Sequence, residues 1–437
     1  MSQRLSFHWR SLARSLAALI RERDGGILVT FGLSLTALIG FGGMGLESGI
    51  WYTAKRSLQT QADAAALSGA FERAKGNPGG VTLAAQHEAT RNGFSLAAPN
   101  SITIHNPPVS GPNAGEGAAV EAVLARDQKL LFASLFLDTL TIRARAVAAV
   151  QVTGTACVLA LDPTASGAVT NQGSTAVNMA GCSVAANSSS DTAITVTGNG
   201  SLIADSLWTV GNYTKDGSST LTLAKPPVVH AWELDDPYAD VHVPTLSGCN
   251  QTNLSVNTTT TLNPGIYCGG MHAKSHAVIT MNPGTYYMDA GDFQVDGGAV
   301  FRCNCTGSTD GVTIVMTSTG AASSIGTVTI NGGADMLLHA PTNAGNPFAG
   351  LLFYEDPRAP AGATDKFNGG SNMRLTGSIY MPKHTTQWSG NNSSTAPTCT
   401  QIIANKVVFI GNSTINNTGC QAAGVLPLTI TGVKVVE

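Results

Sequence analysis

From Ile27 to Leu46 the chain reads ILVTFGLSLTALIGFGGMGL, twenty residues without a charge. At ~1.5 Å per residue, a helix of that length spans a ~30 Å hydrocarbon core. The apolar character then narrows to one stripe, Leu46, Ile50, Ala54, Leu58, Ala62, Ala66 and Ala70, recurring at i, i+4. No proline occurs from Glu47 to Lys75, so the pattern predicts a transmembrane helix over 27–46 running on into a helical stalk over 47–93. Asn77-Pro78-Gly79-Gly80 breaks that stalk, and Val81 to Asn92 reads as a short helix closed by Gly93. The stripe shrinks to alanine toward its end, which leaves room for another helix at short distance. That helix belongs either to the same subunit or to a partner. On the second reading Ala62, Ala66 and Ala70 are partner-helix contacts.

Beyond residue 93 the period changes from 3.6 to 2. Ser101 to His105, Ala119 to Leu124 and Thr141 to Gln151 alternate as strands, and Lys129 to Phe136 is apolar and helix-compatible. Residues 94–154 are therefore expected to form a small α+β module. From 155 to 437 the chain is rich in Thr, Ser, Asn and Gly, with short alternating runs between turns. Two stretches nearly repeat: LNPGIYCGGMHAKSHAVIT from Leu262 and MNPGTYYMDAGDFQVDGGAV from Met281. Pro-Gly at the centre of each specifies a type II turn leading into a strand. A turn recurring at about 20 residues with β-rich filler predicts stacked coils. The expected fold is mainly β with an N-terminal α part, ending in a right-handed parallel β-helix or solenoid over 155–437. An immunoglobulin-like sandwich is the competing architecture.

Charge and cysteine content place these elements. Arg4, Arg10, Arg14, Arg21 and Arg23 precede the apolar run, opposed by Glu22 and Asp24, and the first charge after it is Glu47. The positive-inside rule then puts residues 1–26 in the cytoplasm and the remainder outside. No A-x-A site follows the run, so a retained signal anchor is expected over a cleaved signal peptide. All eight cysteines lie after residue 156, which points to disulfides in an oxidising compartment. Sequence-near pairing joins Cys157 with Cys182, Cys249 with Cys268, and Cys399 with Cys420, each closing a loop near one coil length. Cys303 and Cys305 remain as a close pair. Charged residues make up 12% of the chain, and neither half carries a basic stripe beyond the N-terminus, so nucleic acid is not an expected partner.

The run RERDGGILVTFGLSLTALIGFGGMGLESGIWYTAKRSLQTQADAAALSGA resembles the N-terminal segment of TadG-like Flp pilus-assembly proteins. The shared pattern is an Arg-rich start, a Gly-containing apolar run, an acidic residue, an aromatic, then LQ-x-x-A-D-A-A-A-L-x-G-A. The resemblance implies a bacterial inner-membrane protein of a tight-adherence pilus system, with other assembly or secretion components as partners. Related pilin-like components carry a Glu five residues after the peptidase cleavage glycine. Here the fifth residue after Gly25 or Gly26 is Thr30 or Phe31, a departure from the pattern of a processed pilin subunit.

Chemistry-bearing clusters are few. Val158 to Ser166, VLALDPTAS, places Asp162, Thr164 and Ser166 in the order of a metal-adhesion motif, but an Asp-Pro turn with hydroxyl caps reads more simply. Asp289, Asp292 and Asp296 could bind Ca²⁺ or act on an acidic polysaccharide, and would need basic partners to do so. His272 and His276 sit in strand-like surroundings that do not favour a metal site. No phosphate loop is present. The expectation is a non-enzymatic, cofactor-free membrane protein with a periplasmic β-rich domain. The alternative is an anchored β-helix that binds or cleaves cell-surface glycan.

Overall fold

The computed structural model describes residues 26–368, 373–389 and 399–437. The Arg-rich start, on which the inside-positive orientation rests, lies outside the described residues. The chain divides into two compact units, Met1–Gln151 with Gly432–Glu437, and Val152–Thr431.

In the first unit α1, Gly26–Ala74, is one unbroken helix of 49 residues. Its N-terminal part is long and apolar enough to cross a membrane, and Ile27, Val29, Phe31, Leu33, Phe41 and Leu46 there are exposed. Thr30, Ser34 and Thr36 hydroxyls donate to the carbonyls of Ile27, Phe31 and Gly32, so these polar groups are satisfied within the helix, as lipid requires. A 3₁₀ turn, Pro78–Gly80, reverses the chain into α2, Val81–Arg91. Three strands follow: β1, Ser101–His105; β2, Ala119–Gln128; and β3, Leu140–Ala160. They pair antiparallel, Ser101 opposite Ala125 and Ala119 opposite Ala149. Lys129 to Phe136 yields only a 3₁₀ turn, Phe132–Leu135, and the Leu131 and Ala133 N–H groups at its start donate to Glu47 of α1. One face of this sheet (Val120, Ala122, Leu124, Ala144, Ala146 and Ala148) buries the alanine stripe of α1 together with α2. Small side chains bring the elements close. At Gly69 a Cβ would lie 2.9 Å from Val120 Cγ1 and 3.3 Å from Val81 Cγ1.

The second unit is a parallel β-solenoid, and its chain order is not its stacking order. From one end, Gln251–Val256 pairs with Gly265–Ala273, which pairs with Gly284–Asp289, then Val312–Thr317, Leu351–Glu355, Arg374–Ser389 and Thr400–Phe409. Thr400–Phe409 then pairs in parallel with the end of β3, Ile402 opposite Val158. The stack continues through Ser183–Ala186 to Leu207–Thr209. The chain thus enters in the middle of the stack, runs to one end, crosses to the other end through residues 224–250, and returns to meet its own entry coil.

Turn chemistry and core packing explain the coils. Gly265 and Gly284, the glycines of the two near-repeats, have φ of 154° and 136°, and a Cβ at Gly284 would sit 2.7 Å from Pro264 Cβ. Asn282 donates to Asn263 at 2.7 Å and Asn304 to Asn282 at 3.1 Å, a ladder from coil to coil. Inside, Tyr267 and Tyr286 lie 5.7 Å apart, and Phe353, Phe367 and Trp388 form a run with 5.2 and 5.7 Å between successive ring centroids. Such aromatic stacks contribute beyond their burial, about 0.5–1.5 kcal/mol per pair. Cys157–Cys182 and Cys249–Cys268 staple neighbouring coils, Cys399–Cys420 holds the turns after Thr414, and Cys303 joins Cys305.

The crossing segment covers an outer sheet face that would otherwise be apolar. Leu159, Ala185, Trp208, Val315, Tyr354, Tyr380 and Ile403 point outward and are buried, with Leu234, Tyr238, Val241 and Val243 packed over them. Polar bonds set its path. Asn187 exchanges two bonds of 2.9 Å with the backbone of Leu234, Trp208 Nε1 donates to Trp232 O at 3.0 Å, and Tyr380 OH donates to Asp236 at 2.8 Å.

Candidate functional site

The alanine stripe is the first place to look, because its spacing allowed a partner helix. Ala62, Ala66 and Ala70 are fully buried within the first unit, with Ala65 and Leu58 beside them. The reading of these three as partner-helix contacts is corrected. Their short side chains let α2 and the β2–β3 sheet of the same chain approach α1 and cover them. What α1 leaves unpartnered is its apolar part, where Phe31, Leu33, Leu38 and Phe41 are exposed.

The aspartates near the glycine turns are coil-to-coil fasteners. Asp289 accepts from Thr319 N at 2.7 Å and Thr319 Oγ1 at 2.8 Å. Asp292 accepts from Thr327 N at 2.7 Å, and Asp296 faces His272 Nε2 at 3.1 Å. Each bond joins residues a full coil apart, so the carboxylates replace ladder contacts at the corners. Asp292 and His272 line a shallow cleft of about 500 Å³ whose other lining residues include Asn253, Ser255, Gln294 and Ser324 and no Lys or Arg. An acidic glycan would meet no counter-charge there. His276 stands in a turn with φ of 72°, beyond the strand that carries His272, so the two do not share a face.

Asp162 turns into its own loop and accepts from Thr164 N at 3.0 Å and Ala165 N at 2.8 Å. Ser166 bonds Thr192. The Asp162 and Ser166 side chains of the apparent metal motif are thereby engaged separately, and Asp162 caps its own loop as the Asp-Pro turn predicts.

A cluster that spacing did not reveal lies inside a corner of the solenoid. Glu355 ends one strand, Asp365 lies in Thr364–Asn368, and His384 sits where Arg374–Ser389 shifts register between Met381 and Thr385. All three are buried. His384 Nδ1 is 2.6 Å from Glu355 Oε1 and 3.0 Å from Asp365 Oδ2. Asp365 also accepts from Val328 N at 2.7 Å, and Glu355 from Lys383 N at 2.8 Å. Burial alone would pull the imidazole down, but hydrogen bonds and charge from Asp365 and Glu355 outweigh it and push its pKa up to about 10. Burial pushes Glu355 up, and His384 only partly offsets this. The three ligand atoms lie within 4.8 Å of one another, near enough for one ion. A protonated His384 would serve as counter-ion to both carboxylates through Nδ1, while its Nε2 is buried without a hydrogen-bond partner. The sequence gives no signal for it, since its members are unequally spaced and meet only through coil stacking.

One cleft of about 600 Å³ is lined by Val243, Pro244, Thr319 and Arg358 among others. Arg358 is occupied by Asp356 at 2.6 Å and by Ser318 O at 2.9 Å. Burial would raise Asp356, and Arg358 outweighs it and holds the carboxyl below its ordinary value. The pair closes the corner without presenting a free base.

The surface that distinguishes this chain is the apolar helix and its continuation. No curated protein and no solved structure matches the chain. Residues 25–74, the stretch that forms α1, match the family described as "Putative Flp pilus-assembly TadE/G-like", so the segment that carries the apolar helix and the alanine stripe is TadE/G-like.

Proposed function

We propose that this chain is a non-enzymatic component of Flp-type pilus assembly, held in the inner membrane by α1 and presenting its β-solenoid on the periplasmic side. The observation that carries this reading is the coincidence of the TadE/G-like match, residues 25–74, with the one helix among the described residues long and apolar enough to span a bilayer. The pairing of cysteines within the solenoid supports an oxidising compartment. Carboxylates engaged in coil stacking support a scaffolding role over bond chemistry. Recruitment would use the exposed apolar face of α1, since lipid-facing helices associate through packing and interhelical bonds.

Co-purification tests it. The full chain, extracted in mild detergent from membranes of cells making Flp pili, should carry other pilus-assembly proteins. A variant with Leu33, Leu38 and Phe41 replaced by Ala should carry less of them. Recovery of the chain free of every such protein would contradict the reading.

A further inference from the structure

The connection between β2 and β3 reads LLFASLFL over 130–137, with Lys129 before it and Asp138 after it. Its apolar side chains are not folded away: Leu131, Phe132 and Leu137 are exposed, and Leu135 and Phe136 are 79% and 86% exposed. They lie against α1 at the end of its apolar run. The Phe132 ring packs on Gly43, where a Cβ would come within 2.9 Å of it. Glu47, one turn further along the same face, is buried, and its carboxylate accepts from Leu131 N at 2.8 Å and Ala133 N at 2.7 Å. Gly43 supplies the space and Glu47 the anchor.

We propose that residues 130–137 are a second membrane-contacting element, an apolar knuckle that enters the bilayer beside α1; this rests on α1 being the membrane anchor. Two observations name lipid as the occupant. The exposed side chains are continuous with the helix surface that a bilayer covers, because Phe132 meets α1 three residues before Leu46, about 5 Å inside the end of the apolar run. That depth is the one at which interfacial elements settle. The backbone is also provided for. Besides the two N–H groups held by Glu47, Phe136 N and Leu137 N donate to Ala133 O at 2.9 and 2.8 Å, and Ser134 Oγ donates to Leu131 O. Non-helical chain at membrane depth needs such internal satisfaction, whereas a loop meant for water does not. Lys129 and Asp138 would stay at the polar boundary. The two insertions would fix the first unit's orientation on the surface, which a single helix leaves free to rotate.

The test uses the full chain reconstituted into phosphatidylcholine–phosphatidylglycerol vesicles. The native cysteines are all paired, so a nitroxide can be placed at Phe136→Cys, with Leu38→Cys and Leu96→Cys as helix and water references. Phe136 touches little of the fold, and Leu135→Cys repeats the measurement at a second exposed position. Collision rates with oxygen and with a water-soluble nickel chelate are then compared. The proposal expects position 136 to favour oxygen, as position 38 does, and position 96 to favour nickel. Nickel access at 136 with lipid-like behaviour at 38 overturns the knuckle and leaves the anchor standing. Low access to both reagents at 136 overturns it in favour of a protein contact. Nickel access at both 38 and 136 removes the anchor, and the knuckle with it.

Discussion

His384 shows what a single buried charge does in this fold. It faces Glu355 and Asp365 in a buried corner, and removing it leaves two carboxylates buried together. Replacing one partner of a buried ion pair typically costs about 3–5 kcal/mol, so His384→Ala should lower stability by that order in chemical denaturation of the full chain. The pH dependence carries the same signature. An imidazole whose folded pKa rises to about 10 stabilises fully below its ordinary value near 6.5, and that stability is lost as pH rises through the folded value. The denaturation midpoint should therefore fall between about pH 7 and 10, and a His384→Gln variant should lack most of that slope. A flat profile in the parent chain would mean the ring is neutral. Asp289, Asp292 and Asp296 were visible as a cluster in the sequence, yet their function as corner fasteners was not. The partners they bond, Thr319, Thr327 and His272, come from neighbouring coils, and no local pattern reports that distance.

At the scale of the element, α1 combines two surfaces on one helix. The charge-free run and the i, i+4 stripe are both plain in the sequence, because each repeats a local period. Which helix would cover the stripe was not, since alanines at that spacing suit an internal neighbour and a foreign one equally. Burial against α2 and the sheet decides it. Ala66→Leu should accordingly overpack the first unit and destabilise it by about 1–3 kcal/mol, measured by thermal unfolding in detergent, with partner recovery unchanged where the chain still folds. Loss of partners from a variant of undiminished stability would restore the partner-helix reading. The crossing segment is held the opposite way, by few residues at long range. Asn187→Ala removes both bonds to Leu234 and leaves buried backbone groups unpaired. The expected loss is about 1–3 kcal/mol, with faster proteolysis between residues 225 and 250. Unchanged cleavage there would show that the apolar contacts alone hold the segment.

Across the whole molecule, the near-repeat from Leu262 to Val300 disclosed stacked coils, because turns and strands recur along it. The order of stacking was hidden. Thr400–Phe409 pairs with β3 from more than two hundred residues earlier, and parallel pairing at such separation leaves no trace in local composition. That closure ties the two halves of the solenoid into one cooperative stack, and the cysteines reinforce it locally. Cys157 and Cys182 close a loop of 25 residues, for which the chain-entropy account gives about 3 kcal/mol. Replacing both by Ser should cost that order in denaturant midpoint, and no change would mean the bridge is absent in the cell. The central claim, however, concerns what the chain does, and assembled pili on cells are its most direct readout. Cells lacking this chain, compared by electron microscopy with the same cells complemented by it, should have no surface Flp pili without it and recover them with it. Normal piliation in its absence would contradict the account.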